Sequence, residues 1–431
     1  MHARLISRLP RVPLLALVAV AGLSLASCGG GDDEVDLSTV FPPTPPNPTL
    51  VGQGQPIFRF ETFGDETFFT DVLQLNTVVE TAVTPTVALG VGLKVDAEAL
   101  PPAVVQGVQN GSISLTDPQT TLALIELDAV LGLKGQVTTD ANGVKHLARL
   151  GVTCAICHST VDNSFSTPAI PAGNIGKRLD GWPNRDLNVG AIVALSPALP
   201  AAVKAVYNSW GPGLYDDRFN IVDGGTPFHG DGVNKPAVIP PAYGLLGVNK
   251  TTFTGDGNDI AYWNRYVAVT QFGGHGTFTE PRLNLNVKNG TDDLVSSKLP
   301  ALQAYQLSLE PPAPPAGSFD VAAAARGQAL FNGKAQCSTC HSGPRFTDAN
   351  ERLHPQSDSM SLDTSTPTHA DRSATKQYRT TPLRGIWQHP PYFHDGSAPT
   401  LDVVVARYND RRSLGLSAAE MADLVNYLKS I

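Results

Sequence analysis

Cysteine is scarce in this chain, with five among 431 residues. That number is too small, at this length, for a fold stapled by disulfides. Charged side chains are only 16%, and 31 basic residues face 39 acidic ones. A duplex-binding surface needs a basic face, so nucleic acid is excluded as a partner. Methionine is rarer still, at three. The longest apolar run at the start, Val12 to Leu25, is shorter than the roughly 20 residues of a spanning helix. With 42% hydrophobic residues the chain can bury a core, and wholesale disorder is excluded. The length allows two or three domains. Glycine (40) and proline (35) are plentiful, which predicts long irregular connections.

Arg4, Arg8 and Arg11 lead into the apolar run, and Leu25-Ala26-Ser27-Cys28 follows it. This resembles a bacterial lipoprotein signal. The resemblance implies a signal peptide over 1–27, cleavage before Cys28 and a lipid anchor on that cysteine; Gly29, standing where an aspartate would retain the protein at the inner membrane, implies the outer one. An ordinary secretory peptide with an incidental cysteine is the alternative. Residues 28–56 carry glycines and then Phe41-Pro-Pro-Thr-Pro-Pro-Asn-Pro48 with no apolar period, which predicts an extended tether. The body is expected in the cell envelope, facing the periplasm or the exterior.

A second composition break, Leu309-Glu-Pro-Pro-Ala-Pro-Pro-Ala-Gly317, follows an apolar helix-like stretch with Leu299, Leu302 and Tyr305. It divides the body into an N-terminal domain, 57–317, and a C-terminal domain, 318–431. An alanine-rich helical run covers Phe319 to Phe331. At the end, Ser417 is the expected N-cap of an amphipathic helix, with Glu420 three positions on and Met421, Leu424, Val425 and Leu428 at helical spacing.

Apart from Cys28, the cysteines fall as Cys154-Ala-Ile-Cys157-His158 and Cys337-Ser-Thr-Cys340-His341. Two thiols on one helical turn reach the two vinyl groups of one haem, and the histidine next to them then lies beneath the iron. This is the c-type attachment motif, and it occurs twice. A zinc site would not need a histidine in register after both pairs. A disulfide between i and i+3 closes a small strained ring and staples nothing, and the strand–helix context of a redox dithiol is missing. Two covalent haems are therefore expected. Gly327 and Phe331 precede Cys337 as in the first helix of a cytochrome c domain, where glycine permits close contact with the terminal helix. Pro344 could offer a carbonyl to the free nitrogen of His341.

Tyr378-Arg-Thr-Thr-Pro382-Leu-Arg384-Gly385, Pro391-Tyr-Phe-His394-Asp-Gly396, Thr400-Leu401 and Tyr408 together resemble the C-terminal half of the bacterial di-haem cytochrome c peroxidase and MauG family. The resemblance is close over about the last 115 residues. It implies a mainly α fold of two cytochrome c-like haem domains with long irregular loops. Pro241-Ala-Tyr-Gly244-Leu-Leu246 and then Asp256-Gly257 are an internal echo of Pro382-Leu-Arg-Gly385-Ile-Trp387 and Asp395-Gly396.

The family's chemistry needs one iron with an open position and one six-coordinate iron that relays electrons. By resemblance His158 holds the reactive iron and His341 the relay iron. The family's methionine or tyrosine ligand falls at Tyr408, with Met360 and His394 as rivals. The family's glutamate-bearing segment is absent; the comparable region, Gln271-Phe-Gly-Gly-His275-Gly-Thr-Phe-Thr-Glu280, offers His275 as the acid–base group or a distal ligand, with Glu280 as its substitute in the acid–base role and His229 weaker. The resemblance also implies one calcium ion, held by Asn184 or Asn188 and the Thr380-Thr-Pro382 carbonyls. Trp182, Trp263 and Trp387 are candidate electron conduits. The implied function is reduction of hydrogen peroxide with electrons from a small cytochrome c or cupredoxin. The alternatives are a pure electron-transfer cytochrome, or a dioxygen-using enzyme like the similar rubber-oxygenase group.

Overall fold

The helix Pro48–Phe60 begins inside the stretch expected to be tether. The computed structural model describes residues 43–431; the signal peptide 1–27, Cys28 and the first part of the tether lie outside the described residues. Asn47 caps this helix by accepting from the Thr49 amide at 2.9 Å, and Pro48 occupies a first-turn position, where a missing N–H costs nothing. Gly54 allows it to pack. A Cβ there would lie 1.9 Å from the Ala301 carbonyl oxygen, so the helix lies directly on Leu299–Leu307. The boundary at 56 is thus corrected: residues 48–56 belong to the body.

The same helix crossing recurs at the other end of the chain. Val321–Asn332, capped by Asp320, packs on the terminal helix Ala418–Ser430. A Cβ on Gly327 would lie 2.1 Å from the Asp423 carbonyl oxygen and 2.8 Å from Tyr427 Cβ; on Gly54 it would meet Tyr305 Cβ at 2.7 Å. Four residues after each glycine stands a buried phenylalanine against that tyrosine, Phe58 on Tyr305 at 5.5 Å and Phe331 on Tyr427 at 5.2 Å between ring centres. The terminal helix has the expected capping box, with Ser417 and Glu420 bonding reciprocally.

Across the described residues the chain is mixed, 38% helix and 14% strand, which corrects the expectation of a mainly α fold. A hairpin pairs Leu133–Thr139 with Lys145–Val152 and carries a bulge between Gln136 and Val137. Its turn is set by Asp140, which accepts from the Asn142 and Val144 amides at 2.9 and 2.8 Å. Val95–Asp96, Ile170–Gly176 and Phe165–Thr167 form a three-stranded sheet. Short pairs join Ser159–Val161 to Arg178–Asp180 and Gly276–Glu280 to Leu285–Asn289. In Gly276–Glu280 burial alternates strictly, as expected for a strand with one wet face.

Apolar side chains gather in three clusters. One is built around Leu122, Ile125, Leu147 and Val152, another around Phe58, Phe63, Tyr266 and Leu302. The third, with Phe331, Leu401, Val404, Leu424 and Leu428, draws only on residues from 330 on. Polar bonds cross from that C-terminal part to the rest: Arg372 grips Asp216 at 2.8 Å and Asp231 at 2.6 Å, and Lys235 pairs with Asp363 at 2.6 Å.

Candidate haem centres

Cys337–Thr339 form a single tight turn, and the His341 amide closes it by donating to the Cys337 carbonyl at 2.9 Å. The turn therefore presents Cys337, Cys340 and His341 to one cavity of about 540 Å³, a size usual for cofactor sites. His341 Nδ1 lies 3.0 Å from the Phe346 carbonyl oxygen, with the Thr381 carbonyl a weaker influence on the ring. The expected partner, Pro344, is not the one used: its carbonyl accepts from Arg384 Nε instead. Burial, opposed by those carbonyls, lowers the imidazole's pKa. It is therefore neutral near pH 7, with Nδ1–H donating and Nε2 free for a metal, the arrangement expected of a ligating histidine.

The residents of this cavity fit a haem. Arg185 Nε and Arg379 Nε are buried without a hydrogen-bond partner among the described residues, and both side chains line the cavity. Burial lowers both guanidinium pKa values to about 10. Orphaned buried cationic donors are costly, and the carboxylates of a bound haem are the groups that would satisfy them. Tyr408, Met360 and His394, the three rival axial ligands, all line the same cavity. His394 Nε2 already meets the Tyr378 hydroxyl at 3.2 Å, and it lies 3.6 Å from Asp363. The Tyr408 hydroxyl has no hydrogen bond among the described residues, and burial, with Cys337 and Cys340 nearby, pushes its pKa up to about 12.

Cys154 and Cys157 sit on the turn Ala155–His158, directly after the hairpin. The His158 amide donates to the Cys154 carbonyl at 3.2 Å, so the turn has the same closure as its C-terminal counterpart. Cys154 packs on one apolar cluster and Cys157 on another. His158 Nδ1 is 3.1 Å from the Pro240 carbonyl oxygen, and burial brings the imidazole's pKa down to about 4. The internal echo places Pro240 directly before Pro241 as Thr381 stands before Pro382, whereas the carbonyl bonded to His341 is that of Phe346. The echo's glycines match, Gly244 at φ +67° and Gly385 at φ +71°; both occupy the left-handed region that favours glycine.

The thiols lack the lowered pKa of a redox dithiol. Burial raises Cys154 and Cys157 to about 12 and Cys337 to about 11, the reverse of a reactive thiolate. Among the described residues the four cysteines are unpaired. The one cluster there with metal-ligand spacing is Cys340, Asp348 and His354; Asp348 is already bonded by Arg352 at 2.6 Å and His354 at 3.0 Å.

The remaining expected residues are scattered. Glu280 is buried and takes Arg282 at 2.6 Å and the Tyr262 hydroxyl at 3.1 Å, with Arg282 holding its pKa down at about 2. It is a fixed anion, and its acid–base assignment is corrected. His275, partly exposed, is tied by Nδ1 to Asp292 at 2.8 Å and sits between Gly64 and Gly290. His229 lies exposed, bonded to Thr226 at 2.7 Å. Asn188 is used as a helix cap. Asn184 donates to the Gly92 carbonyl at 2.9 Å, and its Oδ1 is buried with no partner among the described residues. Trp182 meets Trp387 edge-on at 5.9 Å between ring centres, whereas Trp263 packs on Tyr266 at 5.0 Å.

A buried polar network was missed in the sequence: Tyr207 bonds Asn220, Asn220 Nδ2 donates to the Tyr215 hydroxyl at 2.7 Å, and that hydroxyl donates to Gln271 at 2.8 Å. Tyr215 also feels Cys157. Only its tertiary assembly marks it, since its members are spread over 64 residues of ordinary sequence.

A paired-cysteine turn with a neutral, carbonyl-anchored histidine over a cavity of this kind defines a c-type cytochrome, with covalently bound haem c. Residues 377–414 match the family described as RoxA-like, cytochrome c-like. The chain is similar to the cytochrome-c peroxidase IdrP1 of Denitromonas iodatirespirans, 34% identical over 151 residues, covering 26% of this chain and 40% of that protein. It is likewise similar to the methylamine utilization protein MauG of Methylorubrum extorquens, 35% identical over 122 residues, covering 25% of this chain and 34% of MauG. The chain thus spans less than half the length of these curated relatives. Among solved structures, a MauG-like protein associated with microbial copper homeostasis aligns over 50% of this chain and 77% of its own at 19% identity and TM-score 0.32. Hydrazine synthase of Kuenenia stuttgartiensis aligns over 50% and 86% at 19% and 0.33. The matched part of this chain is related to the di-haem cytochrome c peroxidase and MauG family.

Proposed function

We propose that the protein is a di-haem, peroxidase-like oxidoreductase that reduces hydrogen peroxide to water, consuming two electrons and two protons per peroxide. The observation that carries this reading is the repetition of one site design. Each Cys-x-x-Cys-His turn has its imidazole anchored by a backbone carbonyl, that of Pro240 in one and of Phe346 in the other, and a Gly-x-x-x-Phe helix crossing occurs once at each end of the described chain. This supports two cytochrome c-like haem units. Haem c, when bound, would supply the redox iron at each site, attached to Cys154 and Cys157 in one and to Cys337 and Cys340 in the other.

The chain's own groups would then divide the work. His158 and His341 would hold the two irons, each with its tautomer fixed by a carbonyl. Tyr408, which lines the cavity with no hydrogen bond among the described residues, would be the further ligand on the His341 side, where a phenolate would favour the oxidised metal. The Trp182–Trp387 contact supports an electron path from the C-terminal to the N-terminal centre, fed by a small cytochrome c or cupredoxin. His275, oriented by Asp292, is retained as the proton-transferring group. Asn184 Oδ1 is the free oxygen that suits a calcium ion. Export and a lipid anchor at Cys28, with the body facing the periplasm or exterior, rest on the signal sequence.

Electron paramagnetic resonance of the as-isolated and half-reduced holoprotein, paired with peroxide consumption by the reduced protein, tests this reading. One high-spin or ligand-binding iron, one low-spin iron and steady turnover are expected. Two low-spin irons indifferent to cyanide and peroxide would leave a pure electron carrier in its place. An oxygen adduct without peroxide turnover would move the assignment to dioxygen chemistry.

A further inference from the structure

We infer that the mouth of the cavity at Cys337 is a docking surface for an acidic redox protein, and that its arginines select the donor by charge. The inference deepens the proposed function and rests on one part of it, electron entry at the C-terminal centre.

Charge here runs against the trend of the chain. The whole sequence carries −8, yet six arginines and a single carboxylate, Asp358, line this cavity. Arg352, Arg384 and Arg412 are exposed, and Arg345 is half-buried beside the exposed Pro344. These four therefore stand where the cavity opens, whereas Arg185 and Arg379 reach deeper and bury their Nε atoms.

Three of the four are fixed at the attachment turn itself. Arg352 donates to the Thr339 carbonyl, between the two cysteines, at 2.8 Å. The Arg384 guanidinium lies over the Phe346 ring, 5.4 Å from its centre, and the Phe346 carbonyl is the one that holds His341. Arg345 is the chain neighbour of Phe346. The fourth, Arg412, ends the helix Leu401–Arg412 that carries Tyr408. Positive charge is thus spread around the opening from separate segments, which fits an extended acidic surface better than one small anion.

Much of this charge is left over after internal pairing. Arg352 bonds Asp348 at 2.6 Å and Arg412 reaches Asp358 at 3.5 Å; Arg345 and Arg384 form no ion pair among the described residues. The carboxylates of a bound haem do not exhaust the surplus either. Six arginines still face only four carboxylates when those two and Asp348 are added to Asp358. A positive opening draws an anionic partner into an oriented encounter and repels a basic one. Guanidinium groups suit the task, because their planar fork pairs with carboxylates at little desolvation cost.

The test is stopped-flow oxidation of the reduced holoprotein by two oxidised probes, an acidic plastocyanin and a basic mitochondrial cytochrome c. In each reaction one electron passes from the protein to the copper or iron of the probe, and no bond is made or broken. Plastocyanin should be the faster oxidant at low salt and should slow about tenfold when the ionic strength rises from about 0.01 to about 0.2 M, whereas cytochrome c should speed up. Arg345→Glu combined with Arg384→Glu should slow plastocyanin at least about tenfold and accelerate cytochrome c. Oxidation by neutral benzoquinone and the Soret band should stay unchanged. If the double variant does not fold, Arg345→Glu decides alone, with a slowing of about threefold expected for plastocyanin. Rates indifferent to salt, faster oxidation by cytochrome c at low salt, or rates indifferent to the arginine variants would overturn the proposal. No peroxide enters the experiment, so the docking surface and the peroxide reading stand or fall separately.

Discussion

At the scale of single residues, the axial position at the C-terminal centre is the most informative. Tyr408 is a half-buried phenol in the cavity of Cys337 and Cys340, and its hydroxyl has no hydrogen bond among the described residues. If it caps the metal, Tyr408→Phe removes the ligand that favours the oxidised state. The reduction potential of that centre should then rise by at least about 60 mV, a tenfold change for one electron. Spectroelectrochemistry reads this directly, and an unchanged potential would return the role to Met360. Glu280 makes the opposite kind of prediction, about stability. Its pKa is lowered from 4.5 to about 2 in the folded chain by Arg282 and Tyr262, so its contribution is present above pH 4.5 and is lost as pH falls towards 2. Glu280→Gln should cost about 2 kcal/mol at pH 7, and the gap should close in urea melts run below pH 3.

At the scale of elements, the two helix crossings depend on glycine for a steric reason. Gly327→Ala gains helix propensity of up to about 1 kcal/mol, but its methyl would sit 2.1 Å from a backbone oxygen. Backbone cannot yield as a side chain can, so overpacking wins, and a net loss of about 2 kcal/mol is expected in denaturant unfolding of the holoprotein. The C-terminal crossing was legible because Gly327, Phe331 and the motif at Cys337 lie within one short stretch. Its N-terminal twin was not. Gly54 and Phe58 stand almost a hundred residues ahead of Cys154, with the hairpin and several helices between, so the same pattern was buried in what read as tether. The strands escaped for a related reason: most are two to five residues long, too short for an alternating pattern to stand out from loop.

For the whole molecule, what joins the C-terminal part to the rest is polar as well as apolar. Arg372 bonds both Asp216 and Asp231, more than 140 residues earlier, and Asp216 is 1% exposed. Arg372→Ala would strand that carboxylate without its cation. A loss of about 3–5 kcal/mol is expected, visible as a lowered thermal midpoint. Sequence reading found the two attachment turns and the echo near Pro241 and Pro382, because motif chemistry needs residues at fixed short spacing. It could not find Arg185, Arg379, the Tyr207–Gln271 network or the carbonyl that orients His341, since these meet through space from positions with no local signature.

The two histidine anchors differ in how far along the chain they come from. Phe346 follows His341 by five residues, so that ring can be oriented as soon as its own loop closes. Pro240 follows His158 by 82 residues, and the ring stays unsteered until the intervening segment has docked. A nascent chain delivered to the attachment machinery therefore offers a nearly finished C-terminal ligand and an unfinished N-terminal one, and the steadiness of the first centre becomes a report on whether the rest of the protein has closed around it.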